Sequence, residues 1–88
     1  MISCIIPTYK DEGYLERCLA SVKAAVACCG EEVEILIMHN TPDIGKPLAC
    51  YYAARVNARG ETLVLLDADC VVSKDFFCEV SEEHQRQE

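Results

Sequence analysis

The sequence has no tryptophan, only two phenylalanines and three prolines, and no apolar run near the roughly 18 residues that a membrane helix needs. A transmembrane segment is therefore not expected. The opening residues, MISCIIPTYK, carry no basic flank ahead of their apolar run, so they do not read as a signal peptide, and a cytoplasmic location is the expectation. Basic residues are also scarce. Eight Lys and Arg face 15 Asp and Glu, a net charge of −7, and no basic patch offers itself to a nucleic acid. No CxxC pair occurs, although the chain holds seven cysteines, so neither a zinc knuckle nor a redox motif of that type is present. Cys28 and Cys29 are adjacent, a spacing that suits neither zinc nor an ordinary disulfide. Most of the seven occupy slots where Ala or Val would fit and read as small buried hydrophobes, with metal or redox work as the lesser alternative.

What remains is an 88-residue chain, 51% hydrophobic and 26% charged, which fits one small domain spanning residues 1–88. The acidity is uneven. Residues 61–88 carry eight acidic and two basic side chains, against seven and six in residues 1–60, so the later part could attract a cation.

Hydrophobic periodicity divides the chain into alternating elements. Ile2 to Ile6 reads as a short buried strand stopped by Pro7. From Asp11 to Cys29 the apolar residues Leu15, Leu19, Val22, Val26 and Cys29 recur at helical spacing, and Gly30 suits a C-terminal stop. Glu34 to Met38 is a second strand, followed by the turn-forming HNTPDIGKP. Pro47 suits a first helical turn, Leu48, Tyr52 and Val56 give a second stripe, and Gly60 ends it. Thr62 to Leu66 is a third strand. Residues 74–88 form a last helix with Phe76, Phe77 and Val80 on its inner side.

Strand–helix alternation with continuous apolar strands predicts an α/β fold: a short parallel sheet with crossover helices in three layers, a truncated Rossmann-like arrangement. If the second and third strands flank the first, the C-terminal ends of strands one and three meet at a topological switch point, where such sheets bind ligands.

Two loops fall at that point. Asp67-Ala68-Asp69 follows the third strand, and Pro7-Thr8-Tyr9-Lys10 follows the first. Asp67 and Asp69 are two apart, which in an extended segment sends both carboxylates to the same side. Paired hard oxygen ligands suit Mg²⁺ or Mn²⁺, which keep water and phosphate oxygens as their other ligands and can neutralise a diphosphate leaving group. The same pair also reads as a helix-capping aspartate beside a solvated one. Tyr9 offers a flat face for a nucleobase or for simple lid packing. Thr8 offers a hydroxyl and nearby amides. Lys46, ahead of a helix start, could hold phosphate or simply lie on the surface.

These segments carry a family resemblance. ISCIIPTYKDEGYLERCLASV looks like the N-terminus of glycosyltransferase family 2, and GKPLACYYAARVNARGETLVLLDADCVVSKDFF resembles that family's approach to its DxD motif. The resemblance covers most of residues 2–77. It implies a GT-A nucleotide-diphospho-sugar-binding fold, with Pro7, Thr8 and Tyr9 toward the nucleobase and Asp67 and Asp69 at the ribose, diphosphate and a divalent metal (Mn²⁺ or Mg²⁺). It implies inverting transfer of a sugar, often a hexose, from a nucleotide donor. The chain departs from the pattern after strand two, where MHNTPDIG stands in place of an acidic DDGS-like stretch, so that His39 and Asn40 replace aspartates. The Asn40 carbonyl could still accept a base N–H. A further helix and strand before GKPLA are missing. Only 19 residues follow Asp69, and no catalytic base is assigned among them, so the chain reads as the donor-binding part of an enzyme.

Two other readings stand beside this one. DADCV matches the DxDx[TV] pattern of haloacid-dehalogenase-like phosphatases, in which the first aspartate attacks phosphorus and the second acts as acid and base. Alternatively the chain is a non-catalytic truncated module that self-associates, as a homo-oligomer through an exposed sheet edge, or packs against a partner.

Overall fold

A computed structural model describes residues 1–8, 12–39, 52 and 54–87. Three strands, β1 (Ile2–Thr8), β2 (Val33–His39) and β3 (Thr62–Leu65), form a parallel sheet in the order β2-β1-β3. Two helices, α1 (Glu12–Cys28) and α2 (Phe76–Gln87), join them, and residues 52 and 54–56 are also helical. The expected α/β class, strand order and central first strand are all present. All seven residues of β1 are buried, as a strand paired on both edges and covered on both faces must be.

Register sorts the side chains by face. Ile2↔Val33 and Ile2↔Thr62 place Ile2, Cys4 and Ile6 on one face with Val33, Ile35 and Val64. Cys18, Val22 and Ala25 of α1 and Phe77 of α2 pack here in one cluster. The deepest line of α1 is thus Cys18, Val22 and Ala25, while Leu15, Leu19, Val26 and Cys29, the residues of the sequence stripe, flank it half-buried. The opposite face is thinner: Ile5 packs with Leu36, Met38 and Ala54. Tyr52 and Val56, expected to face the sheet, are 51% and 72% exposed, and it is Ala54 that touches Ile5. Leu48, from the same stripe, lies outside the described residues.

Pro7 does not stop the first strand. It pairs with Met38, and β1 continues to Thr8. The reason lies in the direction of the backbone groups. The Ile5 carbonyl accepts the Leu66 N–H at 3.0 Å, so Ile5 faces β3. Pro7, two residues on, faces the same way, where the β1–β3 pairing has already ended at Leu65. Its missing N–H is not needed there.

The other end of the sheet is tied by a polar network. Ser3 Oγ donates to Glu34 Oε2 at 2.5 Å and accepts the Gly60 N–H at 2.8 Å. Arg59 N donates to the same Glu34 oxygen at 2.5 Å, and its Nε lies 3.4 Å from Oε1. One glutamate therefore joins β1, β2 and the segment leading into β3. These donors, the Ser3 hydroxyl first and the Arg59 amide next, hold the Glu34 carboxyl below its ordinary value. A lowered carboxyl stabilises the fold above its unfolded pKa, and that stability is lost as pH falls through the folded value. Urea midpoints measured from about pH 6 down to about pH 3 should therefore fall more steeply for the wild type than for Glu34→Gln. Parallel curves would show that Glu34 contributes nothing to acid sensitivity.

Candidate functional site

The third strand delivers two aspartates to the C-terminal edge of the sheet, the edge at which β1 also ends. Leu66 remains buried, Ala68 is fully buried in the main cluster, and Asp67 and Asp69 on either side of Ala68 are exposed. This alternation explains how carboxylates can follow an apolar strand without desolvation. The alanine faces the core and its neighbours face water.

The segment is a turn and not the extended stretch expected from the spacing. Cys70 N donates to the Asp67 carbonyl at 3.0 Å, closing residues 67–70. The turn brings a third group alongside. Ligand atoms of Asp67, Asp69 and Cys70 all lie within 4.8 Å of one another, the single such trio of His, Cys, Asp or Glu among the described residues. The Cys70 thiol lies 3.8 Å from Asp69 Oδ1. Sequence reasoning missed Cys70, because a lone cysteine after a DxD looks like one more small hydrophobe. Its position next to the second aspartate was the available signal.

Helix α1 holds this turn from behind. Cys18 Sγ reaches the Asp67 carbonyl at 3.8 Å, and Ser21 Oγ accepts the Val72 N–H at 3.1 Å while donating to the Cys18 carbonyl at 2.8 Å. Asp67 and Val72, at either end of the segment, are thereby tied to one helical turn. Burial, with Cys70 and Asp69 nearby, pushes the Cys18 thiol up, and burial pushes Cys4 up to about 12. Both stay neutral and serve as packing, as the cysteine pattern suggested.

The remaining expected site residues divide in two. Pro7 and Thr8 sit at the end of β1 on the same edge, and both are buried, Thr8 at 4% exposure. Among the described residues at that edge, Asp67, Asp69 and His39 are exposed and Cys70 is half-buried. Tyr9, Asn40 and Lys46 lie outside the described residues. His39 closes β2 and is exposed.

Two exposed carboxylates on a tight turn fit a divalent ion that keeps several waters, as Mg²⁺ and Mn²⁺ do. The Cys70 thiol is a softer donor that neither Mg²⁺ nor Mn²⁺ favours, so the two carboxylates are the pair suited to such an ion. No helix among the described residues is long and apolar enough to cross a membrane. Comparison with protein-family models, curated proteins and solved structures finds no match to this chain.

Proposed function

We propose that this chain binds a nucleotide-diphospho-sugar donor through a metal held by Asp67 and Asp69, as the donor half of a glycosyltransferase family 2-like, GT-A-type protein. One observation carries the reading. The two carboxylates emerge at the C-terminal edge of a parallel sheet whose central strand ends on the same edge, the place where open α/β sheets bind ligands. A divalent metal held by Asp67 and Asp69 would supply positive charge able to neutralise a diphosphate leaving group. The chain's own contribution is to hold the two carboxylates side by side on a turn pinned by Cys18 and Ser21. Thr8, at the end of β1 on the same edge, would serve the nucleoside end by resemblance to that family's turn.

Titration of a nucleoside diphosphate sugar with Mn²⁺ tests this. Wild-type protein should bind the donor only with metal. Asp69→Ala should weaken Mn²⁺ binding, followed by electron paramagnetic resonance, by about tenfold or more. Absence of metal-dependent binding at millimolar donor would remove the proposal.

A non-catalytic, self-associating module is a second reading, and it too has an observation in its favour. Leu63 and Leu65 on β3 are 47% and 62% exposed, and Tyr52 and Val56 are exposed as well. This is apolar surface that a second copy of the chain could cover. Sedimentation as a dimer without donor binding would favour it.

A further inference from the structure

At the far end of α1, away from the aspartates, the structure brings together cysteines that the proposed function does not use. Cys29, Gly30, Glu31, Cys78 and Ser81 line one shallow open cleft. Two side-chain contacts fasten its walls. Ser81 Oγ donates to Glu31 Oε1 at 2.9 Å, and Cys78 Sγ lies 3.9 Å from the Cys28 carbonyl. Cys78 Sγ therefore lies at the backbone of the residue that precedes Cys29. Both sulfurs are partly exposed, so a reagent can reach them.

From this shared cleft we propose that Cys29 and Cys78 form a reversible disulfide that locks α2 to the C-terminal end of α1. The two residues are 49 positions apart in sequence, and nothing in their spacing announces a pair. The fold creates it, by laying the first turn of α2 across the end of α1.

The oxidant is a low-molecular-weight disulfide of the glutathione type. The Cys29 thiolate attacks one of its sulfurs, a mixed disulfide forms, and the first thiolate leaves. Cys78 then loses its proton and attacks the Cys29 sulfur, expelling the second thiolate. Two electrons pass from the protein to the reagent, and the two protons end on the released thiols. This order suits Cys78. The neighbouring Cys29 thiol is the largest cause of its raised pKa, and partial burial and the charges of Asp75 and Glu82 add to the rise, which keeps it protonated until the second step. The bridge would enclose β2, β3 and the aspartate turn in one covalent loop.

Peptide mapping of the full chain under native conditions tests this, with oxidised glutathione as the probe. The expected result is a dominant Cys29–Cys78 link, assigned by fragmentation, that reduced glutathione reverses. Cys28→Ser should keep the link to Cys78, and Cys29→Ser should lose it. The reduced variants should show the wild-type circular dichroism spectrum. Should Cys29→Ser misfold, the Cys28→Ser map and the wild-type fragmentation still decide the partner. A link from Cys78 to Cys28, or the same mixture of links in urea as in buffer, would overturn the proposal.

Discussion

Phe77→Ala is expected to leave the domain largely unfolded near physiological temperature. Phe77 is fully buried and is the largest side chain in that state. Its ring meets Phe76 edge-on, with centroids 5.0 Å apart and planes at 78°, a favourable aromatic arrangement. It anchors α2 to the cluster built from β1 and α1. Truncating such a residue costs about 3–5 kcal/mol, because the void collapses only in part. A chain of this length has a total stability of about 4–13 kcal/mol. The loss therefore consumes a large part of the whole. Urea unfolding should show a sharply lower midpoint with an unchanged slope. The effect should reach the aspartate turn as well, since residues 70–75 connect that turn directly to α2. A loss below about 1 kcal/mol would mean that α2 is not part of the cooperative core.

The second large effect is expected at Gly60. A Cβ built there would lie 2.7 Å from the Met1 carbonyl oxygen, 2.7 Å from Ser3 Oγ and 2.8 Å from Ser3 N. Two of those three atoms are backbone and cannot swing aside. Gly60→Ala must push the segment before β3 away from β1. It then strains the Gly60–Ser3 hydrogen bond, and with it the arrangement of Ser3 and Arg59 around Glu34. Overpacking of this kind costs about 1–3 kcal/mol, and a weakened hydrogen bond adds about 1 kcal/mol. Gly30 and Gly13 supply the contrast, since nothing lies within 4 Å of a Cβ at either. Gly30→Ala should be near neutral. Gly13→Ala, inside α1, should stabilise by about 0.5–1 kcal/mol. Equal urea midpoints for Gly60→Ala and Gly30→Ala would show that the close approach carries no energy.

The alternation of strands and helices was legible because each element repeats a local pattern. Apolar runs mark β1 and β2, and helical spacing marks α1. The two aspartates were legible because carboxylates after an apolar strand need an explanation, and the edge of a parallel sheet supplies it. What could not be read is what the fold creates between distant residues. Ser3 meets Glu34 and Gly60, Ser21 meets Val72, and Cys29 meets Cys78, each across 31 to 57 positions. No periodicity records such pairs. Gly60 illustrates the gap well. It read as a helix stop, and its structural work is to let one strand approach another. Pro7 read as a strand end for a sound local reason. Only the position of the third strand shows why its missing donor goes unnoticed.

The central place of β1 also bears on how the chain is made. Both partners of this strand come later in synthesis: β2 ends at His39 and β3 at Leu65. The most buried strand precedes both, and its edges are filled in turn: one after about thirty further residues, when β2 is complete, and the other after about sixty. At about 5–20 residues per second the longer wait is an interval of roughly 3–12 s. During it, ISCIIPT keeps at least one open edge that other nascent chains can capture. The stretch that organises the finished sheet is thus its chief hazard during birth, and a holdase binding there would protect the sheet's eventual centre.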